Sequence, residues 1–304
     1  MASPDKNSQE PIKGIPWRAF KILEGNEFKD FAKKNKYHPL DVEDCYHKRQ
    51  ISKVVERDNY VFVVAKTASF DIKTARLHFD DLDMFIAPDS LVTVEEHPEA
   101  LVERVSKRFP LSGNVQATDM HHIVYALLDE IVDDYLVKLD HIGEAIHAIE
   151  TDVWKDSKSQ MLERIFKLRH LIIDFRRTAG GMREVVSILI RHPRVKTNGD
   201  LESYYRDLYE HLIRIIEFTE TYRDVLNGSL EVYLSAVALR TNEISKALAV
   251  YGAIALPFLI LTGMYGMNIP LPFQDSPHAF FIVFVSMSVF GVGALLFFRR
   301  KGWF

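Results

Sequence analysis

If the stretch that holds them is helical, seven residues fall on one stripe. They are Asn242, Ser245, Leu248, Gly252, Leu256, Leu259 and Gly263, spaced by threes and fours. Ala249 shares the place of Leu248, and Gly252 and Gly263 leave room along the face. A little further on stands Asn268, in the triplet Gly266-Met267-Asn268. An asparagine amide oxygen is a neutral acceptor. A ring of such oxygens suits the water shell of a hydrated cation, and Mg²⁺ gives up its first-shell water reluctantly. Rings of Leu248, Leu256 and Leu259 would be apolar constrictions that close by dewetting. Two helices cannot enclose a path, so several copies must each contribute this stripe. The same pattern also fits a small-residue helix-packing face, and periodicity alone does not separate the two readings.

The elements that carry the stripe are unusual. No Asp, Glu, Lys or Arg occurs from Ala247 to Gln274, nor from Ala279 to Phe298. Each run supplies about the twenty apolar residues that cross roughly 30 Å of hydrocarbon as a helix. The second is rich in Phe (280, 281, 284, 290, 297 and 298) and apolar all round, which suits lipid. Arg299, Arg300 and Lys301 follow it, Arg240 and Lys246 precede the first run, and the joining loop has neither residue type. Positive flanks stay in the cytoplasm. Both termini are expected inside, in the plasma (inner) membrane, with the loop outside.

The remainder is charge-rich. Over 304 residues the net charge is −4, which argues against a nucleic-acid surface. The first residues are polar and lack the apolar core of a secretory leader. The lone Cys45 allows no intrachain disulfide. Residues 1–14 are expected to be disordered. Residues 15–118 read as an α/β domain: "YVFVVAKTASFDI", "ARLHF", "DMFIA" and "LVTVEE" are strand-like, while "EGNEFKDFAKKN" and "PEALVERVSKRF" have helical spacing, the second begun by Pro98. Residues 119–199 read as a helical hairpin region. A long helix capped by Asp119 leads it, a second helix runs from about Ser159 to Thr178 and ends at "TAGG", and a shorter one follows. From about Leu201 the apolar spacing of three and four runs on to Gly266, with no Pro before Pro257. One helix of that extent is roughly 100 Å long. It divides into a stalk over 200–246 and a pore-lining span over 247–267. An outer loop over 268–278, a second span over 279–298 and a basic tail over 299–304 complete the chain.

"YGMN" (Tyr265 to Asn268) at the end of the first of two terminal spans resembles the signature of the CorA family of divalent-cation transporters. "HPLDVEDC", "ALLDEIVDDYL", "LEVYLSAVALRTNE" and the terminal "RRKGWF" agree with it, so the resemblance covers nearly the whole chain after residue 15. It implies a homopentameric funnel, with an α+β cytoplasmic domain, a long stalk helix and two C-terminal transmembrane helices. It implies passive movement of Mg²⁺, with Co²⁺ or Ni²⁺ as further cargo. It makes Gly266, Met267 and Asn268 the selectivity mouth, Asn242 a pore-facing amide at the inner end, Leu248 and Leu256 gate positions, and Arg299 to Lys301 a basic cluster near the inner mouth. It implies a second, regulatory Mg²⁺ held between subunits by Glu43, Asp44, Asp129 and Asp207. Read alone, those four are ordinary surface acids. Two departures stand out: Asp275 is the only acid in the loop "IPLPFQDSPH", and Leu259 replaces the hydroxyl found in some members.

Other readings remain. A zinc- or cobalt-preferring member is one, although zinc favours His and Cys and the stripe has neither. Asp140, Glu144 and His147 share a helix face and suit a metal or, more simply, solvent. A membrane-anchored signalling or adaptor protein is another. No P-loop, nucleophile elbow or HExxH is present, so neither enzyme chemistry, an organic cofactor nor an ATPase partner is expected. The partners expected are further copies of the chain and membrane lipid.

Overall fold

The computed structural model describes residues 8–9, 11, 16–22, 27–47, 51–71, 76–95, 101–108, 120–154, 159–193, 195, 200–267 and 276–303. Asp119 and Pro98, the expected helix starts, lie outside them, as do Asn268 and Asp275. The chain divides into two compact units, one of Met1–Asp152 with Lys158–Ser229, the other of Val153–Ser157 with Leu230–Phe304.

The first unit is built on a mixed six-stranded sheet. Its strands are β1 (Ser8–Gln9), β2 (Trp17–Lys21), β3 (Lys53–Glu56), β4 (Val61–Asp71), β5 (Arg76–Ile86) and β6 (Leu91–Glu95). Their order is β1-β2-β6-β5-β4-β3. The β2–β6 pair is parallel and the others are antiparallel. The centre is the β4–β5 ladder, from Val61 opposite Ile86 to Asp71 opposite Arg76. Val61 to Ala65 are all buried, so this strand is covered on both faces. On one face Phe62, Val64, Phe85, Val92 and Val94 pack with Phe28 and Ala32 of α1 (Glu27–Lys34) and Cys45 of α2 (Pro39–Tyr46). The alternate residues meet α4 (Met120–Asp152) and α5 (Ser159–Arg191). Tyr135 of α4 donates its hydroxyl to the Lys66 carbonyl at 2.6 Å, and the Lys66 amide meets the Met182 sulfur of α5 at 3.3 Å. A short α3 (Leu101–Arg108) is clamped to α4 by Arg104, which reaches Glu130 at 3.0 Å and Asp134 at 2.7 Å.

Three expectations need correction. Residues 8 and 9, placed in a disordered segment, form β1 and pair with Phe20 and Ala19, because β2 otherwise presents an open edge. "ARLHF" and "DMFIA" are one strand, β5, not two. "TAGG" does not end a helix: α5 runs unbroken through Gly180 and Gly181 to Arg191. A β-carbon on Gly181 would lie 3.2 Å from that of Ser52, so this glycine serves close approach of the helix to the chain entering β3. Gly143 of α4 plays a similar part. A β-carbon there would collide with the Tyr222 hydroxyl of α6 (Asp200–Tyr265). Helix α6 is a single element of 66 residues with Pro257 inside it, and α7 (Ala279–Arg300) follows.

Why β5 tolerates "DDLD" is an electrostatic matter. Lys66 pairs with Asp81 inside the sheet layer, where both are largely buried. Asp83 is 1% exposed. Its Oδ1 has no hydrogen-bond partner among the described residues. Burial, reinforced by the charge of Asp81, pushes its carboxyl up to about 8. The folded chain therefore keeps a proton here that an unfolded Asp loses near pH 4. Stability then falls as pH rises from about 4 to about 8, by at most about 1.4 kcal/mol per pH unit. Asp83→Asn removes this proton linkage. Its thermal midpoint in detergent should match wild type below about pH 4 and exceed it by a margin that grows up to about pH 8. Parallel midpoint-versus-pH curves for the two proteins would show that Asp83 is ionised in the fold.

Candidate functional site

Both α6 and α7 contain a stretch long and apolar enough to cross a membrane. Their facing sides are set by two contacts. Gly291 of α7 lies against Phe258 of α6, where a β-carbon would come within 3.0 Å of the ring. Thr262, Tyr265 and Gly266 share a groove with Phe280, Val283, Phe284 and Met287. The helices are thus antiparallel neighbours. Val250 is buried and Pro257, Phe258 and Leu261 are half-buried. At 100° per residue these four centre on one side of α6, and Leu248, Gly252, Leu256, Leu259 and Gly263 cluster within about 80° on the opposite side. Leu248 is 71% exposed, Leu256 58% and Leu259 66%. Asn242, Ser245 and Gly263 are exposed as well, and Gly252 is half-buried. The stripe is therefore not the face that packs on α7. Among the described residues its members are exposed, apart from the half-buried Gly252.

The helix closes at Gly266. Its amide bonds the Thr262 carbonyl at 3.0 Å, and the Met267 amide bonds that of Met264 at 3.1 Å. A β-carbon on Gly266 would sit 3.3 Å from the Thr262 carbonyl oxygen, so the tight turn favours glycine. Asn268, the third member of the triplet, lies outside the described residues. The other end of α7 carries Arg299 and Arg300, with Lys301 as its cap residue.

The four candidate regulatory acids fall in two places. Helix α2 starts at Pro39, with the His38 ring accepting from the Leu40 amide at 3.2 Å. It is fixed from below by Asp41. Arg57 grips both Asp41 oxygens, at 2.9 and 2.5 Å, and Tyr60 donates to one at 2.7 Å. Burial alone would raise the Asp41 carboxyl, but these hydrogen bonds outweigh it and hold the group below the usual carboxylate range. With Asp41 turned inward, Glu43 is left in solvent and Asp44 is engaged by Lys53 at 2.5 Å. Sequence reading missed Asp41. Its spacing from Cys45, a full turn away on the same apolar face, was the available signal.

Asp129 and Asp207 meet elsewhere, around Tyr125. The Tyr125 hydroxyl donates to Asp129 at 3.1 Å, and its ring packs on those of Tyr204 and Tyr205. Burial raises the Tyr125 phenol, and the charges of Asp129 and Asp207 add to it. Asp207 also lies 3.8 Å from the His211 ring. One chain therefore brings Asp129 and Asp207 together but does not join them to Glu43 and Asp44. Among the described residues no three His, Cys, Asp or Glu side chains converge as a metal set. Asp140, Glu144 and His147 do not converge either: Glu144 faces His141 and His147 faces Glu150, each at 3.6 Å on an exposed surface.

The sequence pattern of the family described as CorA-like Mg²⁺ transporter protein matches residues 13–300. The chain belongs to the CorA family. Among its relatives, the cobalt/magnesium transport protein CorA of Thermotoga maritima is 30% identical over 268 residues, covering 88% of this chain and 76% of that protein. A putative metal ion transporter of Bacillus subtilis, YfjQ, is 27% identical, covering 88% of this chain and 83% of its own. The complete structure of the CorA magnesium transporter from Methanocaldococcus jannaschii superposes with a TM-score of 0.82 at 24% identity, over 95% of this chain and 91% of that one. This CorA chain thus shares the whole fold, an α/β domain followed by a long helix and a C-terminal apolar helix pair. The ZntB cytoplasmic domain from Vibrio parahaemolyticus, at 11% identity and a TM-score of 0.61, shares the fold alone.

Proposed function

We propose that this CorA protein is a passive, Mg²⁺-gated channel for divalent cations, chiefly Mg²⁺, with Co²⁺ and Ni²⁺ as further cargo. Five copies surround one axis, in the plasma (inner) membrane with both termini cytoplasmic. The observation that carries this reading is the stripe on α6. It is exposed, it lies opposite the α7 face, and it runs through a charge-free span toward Gly266. A surface of that kind in a membrane helix is completed by other copies of itself. Asn242 and Ser245 then offer neutral oxygens at the inner end, Leu248, Leu256 and Leu259 form the dewetting constriction, and Gly266, Met267 and Asn268 form the outer mouth. The ion keeps its inner water shell, so no dehydration cost of the Mg²⁺ kind arises. His and Cys are missing from the stripe, which speaks for a hydrated hard cation over zinc.

Regulation rests on the two acid pairs. Glu43 and Asp44 of one subunit face Asp129 and Asp207 of the next, and a cytoplasmic Mg²⁺ between them offsets their repulsion and favours the closed ring. Loss of the ion lets the domains part and biases α6 toward opening, a shift of population set by differential affinity.

Asn268→Ala should assemble normally yet lower Mg²⁺ uptake by about tenfold or more in cells lacking their own magnesium transporters. Normal uptake by an assembled variant would remove the amide ring from the selectivity step.

The second test concerns the acids. Purified wild type should resist limited proteolysis in millimolar-order Mg²⁺, the weak end of oxygen-ligand affinity. Asp44→Asn combined with Asp207→Asn should lose that protection and still conduct. Full protection of the double variant by Mg²⁺ would place the sensor elsewhere.

A further inference from the structure

The end of α7 has a feature that ion conduction does not need. Gly302 has a φ of +68°, a left-handed conformation that glycine adopts freely. Its amide bonds the Arg299 carbonyl at 3.1 Å, and the Trp303 amide bonds that of Phe298 at 3.1 Å. These are the paired bonds of a Schellman stop. The chain turns back, and the Trp303 ring packs on Phe298 with centroids 5.5 Å apart. Schellman stops are common helix ends, so the turn alone says little. Its contents say more. Trp303 is 41% exposed although it is packed. It stands beside Arg299, Arg300 and Lys301, and the only acid after Glu243 is Asp275, which precedes α7.

The depth of this corner follows from the helix pair. Phe258 is level with Gly291. In antiparallel helices that rise 1.5 Å per residue, each step back along α6 matches a step forward along α7. Arg300, the last residue of α7, is nine steps away and lies about 14 Å beyond the Phe258–Gly291 contact, Lys246 is twelve steps away along α6 at about 18 Å, and Trp303 is folded back beside Phe298. Lys301 falls level with Leu248 by the same count. Four cations and the folded-back indole therefore lie within about one and a half helical turns of one another in depth, at the end of two apolar stretches. An indole prefers the headgroup layer, where its ring is half in hydrocarbon and its N–H is wet. Glu243, one turn before Lys246, is the acid nearest in sequence, and four cations against it leave an excess of positive charge that attracts phosphate there.

We propose that Lys246, Arg299, Arg300, Lys301 and the folded-back Trp303 form a site for the phosphate headgroup of an anionic phospholipid in the inner leaflet. The lipid phosphate sits among the cations, and its upper chain lies on the Trp303–Phe298 surface. Guanidinium groups at Arg299 and Arg300 take the phosphate oxygens in forked pairs, which an ammonium does less well. The inner-leaflet placement rests on the membrane orientation given under the proposed function. The lipid contact itself does not depend on whether the protein conducts.

The test uses purified full-length protein in detergent. It is titrated separately with phosphatidylglycerol, phosphatidylcholine and inorganic phosphate at constant ionic strength. Retained lipid is counted by mass spectrometry of the intact assembly, and the thermal midpoint is followed in parallel. Wild type should retain phosphatidylglycerol in preference to phosphatidylcholine and gain stability from it. Inorganic phosphate should do neither. Arg299→Gln, Arg300→Gln and Lys301→Gln together should weaken phosphatidylglycerol binding about tenfold or more. Trp303→Ala should weaken both lipids while sparing the anionic preference. Equal retention of the two lipids by wild type, unchanged phosphatidylglycerol binding by the triple variant, or equal stabilisation by inorganic phosphate would each overturn the proposal. Gly302→Ala keeps every charge but strains the turn, and it should lose the Trp303 contribution alone. Lipid binding that survives in a protein unable to move Mg²⁺ would count against the channel reading and leave this site standing.

Discussion

Hydrocarbon cannot hydrogen-bond a peptide group, and this constraint governs the second half of the molecule. It forces the stretch from Ala247 onward to be helical, and helices propagate cheaply once started. The apolar span is therefore the end of a helix that begins at Asp200. One element carries Asp207 near its start, Asn242 and Leu248 further on, and Gly266 just past its end. Pro257 breaks one internal hydrogen bond of that helix, at the Ala253 carbonyl, on the side where α7 packs. The stripe on the other side keeps its regular spacing.

The membrane part was legible in the sequence because lipid imposes a simple rule. Charge is absent where hydrocarbon lies and present where it ends. The long helix was legible for a related reason, since its spacing of threes and fours carries no break between Leu201 and Gly266. The α/β unit was less so, because its exceptions are resolved by partners far away in sequence. "DDLD" looks like a break, since Asp is depleted in strands. It is a strand because Lys66 neutralises Asp81 and Asp83 sits buried against the α2 side. Gly180-Gly181 looks like a helix stop, yet Gly181 marks where α5 passes close to Ser52. Neither fact is local.

The candidate site shows the same division. Spacing placed Leu248, Gly252, Leu256, Leu259 and Gly263 on one face, and the fold adds that this face points away from α7. The four acids had no local signal and came only with the family resemblance. The fold separates them into a pair on α2 and a pair around Tyr125. Asp41 went unnoticed because a buried carboxylate matters through Arg57 and Tyr60, and no pattern within "HPLDVEDC" predicts either. Its role is to hold α2 in place, so that Glu43 stays in solvent and Asp44 stays with Lys53.

The central claim is that the exposed stripes of several copies enclose a passive path for a hydrated cation. Flux through the purified protein alone tests it most directly. The protein is reconstituted into vesicles that contain a Mg²⁺ indicator, with no nucleotide present, and a K⁺ diffusion potential is imposed. The account predicts Mg²⁺ entry that needs only the gradient, speeds up when the interior is negative and slows when the potential is reversed. Vesicles with fully assembled protein that admit no Mg²⁺ under either potential would contradict it.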